Sequence, residues 1–317
     1  MTAKLDVTKD RDKSIGGSDI PAVMGISQFR SRWDLLQEKA LGKRSDFQGN
    51  EYTEYGRAME PVIRDYVNET GGHFVDDTVK IDGDLRYHAD GYEKTNDSWN
   101  GESRVLEIKT TSDFHPYDAM MICDDKEFLL KHYKQYLVQL LLGLRLYKAR
   151  IGILAVYDRP EDFSLDFERE RVQLCVIRAD EWTDVYEEMD RALDKFREDR
   201  DKLKENPFLT EEDLQPTEIV ELADKALAIE QELVRLKQAE QEAKEVKAAL
   251  KTAMEEHNVK KWTTNNGVQI TLIPDGKDKT VKEFDKDKFV AENKDLAASY
   301  MTEKVKKGRK GYVKITL

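Results

Sequence analysis

The residues with the clearest chemical potential are Glu107 and Lys109, within Arg104 to Thr111 (RVLEIKTT), read together with Asp90 in the upstream stretch HADGY. Val105, Leu106 and Ile108 form a short apolar run of strand type, and side chains two apart on a strand leave the same face. A carboxylate and an ammonium group therefore emerge side by side. Asp90 lies seventeen residues before Glu107 on a second strand-like stretch, and the polar turn of Thr95 to Gly101 lets the two stretches run as antiparallel neighbours. An Asp from one strand and a Glu from the next can hold one hard divalent cation through oxygen atoms, leaving positions for water and a phosphate oxygen. Lys109 would stand beside the attacking water. The chemistry this implies is metal-assisted hydrolysis of a phosphodiester.

A strand of alternating charge also suits a face that merely meets solvent. Three features favour chemistry: Asp90 sits in a D-G turn, Glu60 lies on a helix upstream, and a glutamine-bearing helix follows.

These groups need elements to position them. Residues 54–70 (EYGRAMEPVIRDYVNET) read as an amphipathic helix with Tyr55, Met59, Val62, Ile63, Tyr66 and Val67 on its apolar side, ended by Gly71-Gly72. Glu60 lies at the edge of that stripe, where a solvated position is the plain alternative. Strands are expected at about 73–82 and 85–92, with Asp82 and Asp84 between them. Residues 128–147 (FLLKHYKQYLVQLLLGLRLY) read as one helix in which Gln139 is embedded among leucines, a costly place for an amide unless it is hydrogen-bonded. Gln135, one turn earlier and in more polar surroundings, competes with it. Strands at 150–158 and 170–177 and a charged amphipathic helix at 180–204 complete a mixed α/β layer architecture.

Near the N-terminus, Ser18 begins a helical pattern (SDIPAVMGI) as a candidate N-cap, with Pro21 in the first turn. The stretch SQFRSRW adds Arg30, Arg32, Phe29 and Trp33, which can contact a nucleic-acid strand by ion pairing and stacking or can anchor a helix.

The ordered set G-x-x-x-E (Gly56 to Glu60), HADG with Asp90, LEIK with Glu107 and Lys109, and YLVQ (Tyr136 to Gln139) resembles the PD-(D/E)XK nuclease superfamily. Within it the chain resembles the YqaJ-type viral recombinases and lambda exonuclease, including the opening IGGSD with Arg11 seven residues before Ser18. The resemblance spans roughly residues 10–200 and rests on the ordered set, since each piece alone is weak. It implies a restriction-endonuclease-like mixed sheet flanked by helices. It implies Mg²⁺, with Mn²⁺ as substitute, held by Asp90, Glu107 and the backbone carbonyl of Ile108. Glu60 becomes a further acidic group, and Gln139 a residue that orients water or the Lys109 amine. Arg11 and Ser18 become ligands of a DNA 5′-phosphate, a task suited to an arginine beside a helix start. The implied activity is 5′ to 3′ digestion from double-stranded DNA ends, leaving 3′ single strands for a single-strand annealing protein. A ring-like homo-oligomer, with a trimer favoured, and a phage or prophage origin in a bacterial host go with it. A restriction-like or structure-selective endonuclease using the same site, or a non-catalytic recombination adaptor, are the rivals.

Composition bounds this reading. The 317 residues carry a formal net charge of −12, which weighs against a nucleic-acid partner globally, although DNA affinity follows the phosphates neutralised locally. Only the far C-terminus is basic, residues 257–317 carrying 14 Lys+Arg against 8 Asp+Glu. No apolar run is long enough to span a membrane, and MTAKLDVTKDRDK lacks the hydrophobic core of a signal peptide, so a cytoplasmic protein is expected. Cys123 and Cys175, without metal-ligand spacing, are expected to be reduced thiols.

The expected organisation is a nuclease domain over 1–205, a linker over 206–217, a long heptad-patterned helix over 218–256 and a small basic α+β module over 257–317. In the long helix Ile219, Leu222, Ala226, Ile229, Leu233 and Leu236 step by three and four, as a coiled-coil seam does. Glu240 interrupts them, and Ala243, Val246, Leu250 and Ala253 continue in another phase. Such a helix would be about 57 Å long. The last module is expected to hold a hairpin around Asn265-Asn266-Gly267, a helical stretch from Asp285 to Tyr300 and a final strand GYVKITL. Its cluster of Lys304, Lys306, Lys307, Arg309 and Lys310 suits phosphates or, more commonly, plain solvation.

Overall fold

The expected strand around Glu107 is β5 (Arg104–Thr111), an inner strand of a four-stranded sheet in a computed structural model of the chain. The structure describes residues 13–43, 49–94, 102–117, 123–275, 284–294 and 296. The sheet order is β4 (Gly91–Glu93), β5, β6 (Ile151–Asp158) and β7 (Val172–Arg178). β5 and β6 run parallel over their whole lengths, Glu107 standing opposite Leu154, while β4 and β7 are antiparallel to their neighbours. A parallel pair needs a crossover. It is supplied by α4 (Lys126–His132) and α5 (Lys134–Tyr147). A three-stranded sheet of β1 (Ile15–Gly16), β3 (Leu85–Tyr87) and β2 (Lys80–Asp82) lies apart from the first.

Alternation along β5 decides which layer each side chain meets. Leu106 and Ile108 pack against α3 (Glu51–Glu69), whose Tyr55, Met59, Ile63 and Val67 recur every fourth residue and are all buried. Each such side chain stabilises the layer by about 1.5–3 kcal/mol relative to exposure. Val62 and Tyr66, expected on the same stripe, fall off it: Val62 is exposed and Tyr66 only partly covered. Val105 faces the other way, into the larger core with Leu137, Leu140, Leu141 and Leu144 of α5. β5 therefore lies between two helical layers, and its polar residues need partners of their own.

The helix expected over 128–147 is two helices. Asp125 caps α4 by accepting from the Phe128 N–H at 3.0 Å, and Tyr133, with φ −126° and ψ 17°, breaks the run before α5 begins. Lys148 ends α5 in the left-handed region (φ 52°), where the Ala149 N–H closes on the Leu144 carbonyl at 2.9 Å. Ser18 does not cap a helix. It lies within a 3₁₀ turn (Gly17–Asp19), and the side chain that closes this turn is Asp19, accepting from the Gly16 N–H at 2.9 Å. Asp19 also pairs with buried Lys39 at 2.9 Å, tying the turn to α2 (Arg32–Leu41). The four-residue α1 (Ile20–Val23) follows, with Pro21 in its first turn.

Helix α6 (Thr183–Glu205) closes this part of the chain. Asp84, in the turn between β2 and β3, accepts from Arg197 at 2.8 Å and Arg200 at 2.8 Å, both on α6. Burial pushes its carboxyl up, but these two guanidinium groups outweigh it and hold it below the usual carboxylate range. Asp84 is thus a clamp between elements. Cys123 bridges onto β7 beside Cys175, and both are buried free thiols.

The chain divides into two units, Met1–Leu214 and Gln215–Leu317. Leu214, at the end of a 3₁₀ turn, is buried in the core of the first. In the second, α7 (Thr217–Glu256) is one unbroken helix that runs through Glu240. A hairpin of β8 (Lys261–Thr263) and β9 (Gln269–Thr271) turns at Gly267, φ 81°, and α8 (Lys286–Glu292) follows. The expected final strand and the basic cluster from Lys304 to Lys310 lie outside the described residues. No described helix is long and apolar enough to cross a membrane.

Candidate active site

Asp90 immediately precedes β4, and Gly91 pairs with Leu106, so the register carries the Asp90 carboxylate to the edge of β5 where β4 has not yet begun. There the Ile108 N–H donates to Asp90 Oδ2 at 2.7 Å. In a strand the N–H and C=O of one residue leave on the same side. The Ile108 carbonyl therefore points along the edge that Asp90 occupies. Two residues apart on the perpendicular face, Glu107 Oε1 and Lys109 Nζ meet at 2.5 Å. Tyr87, on β3, donates its hydroxyl to Glu107 Oε2 in a buried hydrogen bond. Each carboxylate oxygen keeps a further lone pair for a ligand.

The electrostatics follow from this crowding. Burial and then the neighbouring Glu107 push the Asp90 carboxyl up to about 8, against the opposing pull of Lys109 and the Ile108 N–H. Glu60 contributes to the same rise, which places it near Asp90 although it leans on Arg64 in an ion pair. Burial works against the Lys109 charge, but Glu107 and then Asp90 outweigh it and hold the ammonium well above its ordinary range. Lys109 is therefore a donor and not a base here. The Tyr87 hydroxyl is held well above its usual range by burial, then by Glu107 and Asp90, and so it too is a donor.

Two acids this close, Glu107 buried and Asp90 half-buried, repel each other, and a cation between them relieves the repulsion. Hard oxygen donors of this kind, with a strand-edge carbonyl alongside, fit Mg²⁺ or Mn²⁺ better than a softer metal. Among the described residues no three His, Cys, Asp or Glu side chains cluster closely enough to make a fuller cage. Glu60 accordingly stands at the margin of the set.

The other expected residues are placed as follows. Gln139 is buried, and its amide nitrogen donates to the Gln135 carbonyl at 3.0 Å, which is how the leucine-rich helix satisfies it. No hydrogen bond joins it to Lys109 among the described residues. Tyr136, at the start of the same motif, lies near Lys109. Ser18 is exposed in its 3₁₀ turn, and Arg11 lies outside the described residues. Arg30 binds Glu38 at 2.8 Å, and Arg32 binds the buried Asp199 at 2.8 Å while lying over the Phe196 ring. Trp33 packs partly buried against the core, leaving only Phe29 fully turned out, at 83% exposed. These ion pairs tie the loop to α2 and α2 to α6.

Sequence reasoning gave Tyr87 no role, yet signals for it were present. A glycine stands with no turn to explain it in the middle of α5, Gly143, and another, Gly17 in IGGSD, opens the 3₁₀ turn. A Cβ at Gly17 would lie 2.6 Å from Tyr87 Cδ2, and one at Gly143 would strike the ring more closely still. The two glycines make the slot that brings the ring to Glu107.

The YqaJ-like viral recombinase domain family matches residues 7–144. No curated protein sequence matches the chain. Among solved structures, the alkaline exonuclease LHK-Exo from Laribacter hongkongensis is similar over 62% of this chain and 94% of its own, at 17% identity and TM-score 0.41. The same protein in complex with dAMP gives 16% identity and TM-score 0.42, over 62% of this chain and 93% of that one. A phage related exonuclease from Haemophilus somnus 129PT covers 60% of this chain and 94% of its own, at 13% identity and TM-score 0.44. The match over residues 7–144 takes in Glu60, Asp90, Glu107, Lys109 and Gln139 in order, and over this segment the chain is similar to the YqaJ-like viral recombinase domain family.

Proposed function

We propose that the chain is a metal-dependent nuclease that digests double-stranded DNA from its ends, 5′ to 3′, and leaves 3′ single-stranded tails for recombination by strand annealing. The observation that carries the hydrolytic part is the convergence of Asp90, Glu107 and Lys109 on one strand edge, through the 2.7 Å and 2.5 Å contacts of Ile108 with Asp90 and of Lys109 with Glu107. Asp90, Glu107 and the Ile108 carbonyl would hold Mg²⁺ or Mn²⁺, which supplies Lewis-acid stabilisation of charge developing on the phosphate oxygens. Lys109, kept as an ammonium, donates to the attacking water and fixes its direction toward phosphorus. It also offsets the negative charge that grows in the transition state. Tyr87 holds Glu107 in place from the other side. Glu60 and Gln139 border the site as supporting polar groups, and Ser18 and Arg11 are assigned to the 5′-phosphate of the strand end.

End dependence, direction, the annealing-protein partner and a ring-like homo-oligomer, with a trimer favoured, rest on the resemblance to the YqaJ-type recombinases and lambda exonuclease. A linear duplex labelled separately at each 5′ and 3′ end, with and without Mg²⁺, tests the reading directly. Early release of the 5′ labels, only with the metal and with closed circular duplex left intact, is the expected result. Cutting of the closed circle would replace it with an endonuclease. Glu107→Gln and Lys109→Ala are each expected to lower the rate by about 10²-fold or more while the fold survives, and unchanged digestion would remove the proposed site.

A further inference from the structure

Helix α7 carries an exposed apolar seam. In its last turn Met254 is 6% exposed, and its carbonyl accepts from the Val259 N–H at 2.9 Å on the way to the hairpin. The first half differs. Ile219, Leu222, Ile229 and Leu236 are all more than half exposed, and Leu233 is 42% exposed. With Ile219, Ala226 and Leu233 as a positions and Leu222, Ile229 and Leu236 as d positions, the seam keeps one frame for three heptads on an unbroken helix. Glu240 occupies the next a position and ends it.

The charges beside the seam identify what covers it. In this frame Lys225 and Glu232 are g residues, and Glu230 and Lys237 are the e residues five further on. In a parallel, in-register pair each g side chain faces the e side chain of the following heptad on the other helix. Lys225 then meets Glu230 of the second copy, and Glu232 meets its Lys237, an opposite pair both times. Within the helix Glu221 stands four residues before Lys225 and Glu240 three after Lys237, exposed partners of little energetic consequence. Glu230 has Ala226 and Val234 one turn away, and Lys237 has Leu233 and Gln241, so neither finds an opposite charge at the i±4 spacing. Glu232 reaches Arg235 at 3.6 Å in an exposed pair of little energetic consequence.

We infer that residues 217–237 of α7 pair in parallel and in register with the same segment of a second copy of this chain. The pairing stands independently of the nuclease reading. Leu222, Ile229 and Leu236 form its apolar layers, and Lys225, Glu230, Glu232 and Lys237 set its direction.

Full-length protein carrying Ile229→Cys is compared with Gln238→Cys, which faces outward in the same frame, under mild oxidation by a small disulfide. A thiolate from one copy attacks the reagent and releases one thiol, and the second copy's thiolate then displaces the other, leaving an interchain disulfide and two reagent thiols. Parallel in-register pairing sets residue 229 against its own copy, so Ile229→Cys cross-links at least about tenfold faster than Gln238→Cys. Equal rates, or none above the unsubstituted chain with its buried Cys123 and Cys175, overturn the inference. Sedimentation of the full chain gives a second measurement. Glu230→Lys raises the dissociation concentration about tenfold, and Lys225→Glu added to it restores association to within about twofold. A chain that stays monomeric, or a double variant no better than the single, also overturns it. These substitutions are at exposed positions of a helix, so circular dichroism of each variant is expected to match the parent.

Discussion

Buried Glu107, half-buried Asp90 and the Lys109 ammonium crowd one strand edge, and the proton inventory there controls how well a cation binds. Asp90, pushed up to about 8 by burial and then by Glu107, is expected to hold a proton at neutral pH in the metal-free protein. A divalent cation must displace it. Metal affinity is therefore expected to rise about tenfold per pH unit up to about pH 8 and to level off above it, with close to one proton released on binding below that point. Calorimetric titration with Mg²⁺ in two buffers of different ionisation enthalpy measures that proton, and flat affinity between pH 6 and 8 would contradict the assignment. The linkage has a stability counterpart. Because the folded value lies above the unfolded one, the contribution of Asp90 is fully present below the unfolded carboxylate range and is lost as pH rises to about 8. Tyr87 offers the second residue-scale prediction. Tyr87→Phe keeps the ring in its slot and removes only the hydroxyl, leaving buried Glu107 one donor short. A loss of about 1–2 kcal/mol is expected, and a raised Mg²⁺ concentration for half-maximal rate distinguishes a role in holding Glu107 from simple loss of packing.

Among the elements, α5 does the most to position the site, because it packs on β5 and β6 and also meets Tyr87. Gly143 marks that contact. Gly143→Ala raises helix propensity by about 1 kcal/mol, yet its new methyl group collides with the Tyr87 ring, and overpacking of this kind costs about 1–3 kcal/mol. Net destabilisation in urea unfolding is expected, smaller when Tyr87→Ala is present, since the two changes share one contact. A gain in stability from Gly143→Ala alone would show that the slot is not tight. Much of this level was legible beforehand. The strands at 104–111, 151–158 and 172–178 and the helices around 51–69 and 183–205 announce themselves by period and composition. The break at Tyr133 was not, because aromatic and leucine residues continue the 3.6-residue pattern across it. The short β2, β3 and β4 were also blurred, since three-residue strands carry too few positions to show a period.

At the scale of the whole chain, the boundary between Leu214 and Gln215 separates a unit with its own buried core from one dominated by a single long helix. A chain ending at Leu214 is expected to keep one cooperative thermal transition and metal-dependent digestion of linear duplex, while losing the self-association assigned to α7. Loss of the transition would show that the first unit depends on the second. The net charge of −12 makes any DNA contact a local matter, and digestion rates at low DNA concentration are expected to fall steeply with added salt.

The chain order of Glu60, Asp90, Glu107, Lys109 and Gln139, and the strand character of RVLEIKTT, were readable from residue types alone, because alternation and motif spacing are local properties. So was the heptad seam of α7. Only the tertiary structure decided that Tyr87 belongs with Glu107, that Arg30 and Arg32 are spent on Glu38 and Asp199, and that Asp84 clamps α6. Those pairings join residues that the chain separates by up to 167 positions. No local pattern encodes which of many arginines and carboxylates will meet once strands and helices have packed, since that depends on register and layer order.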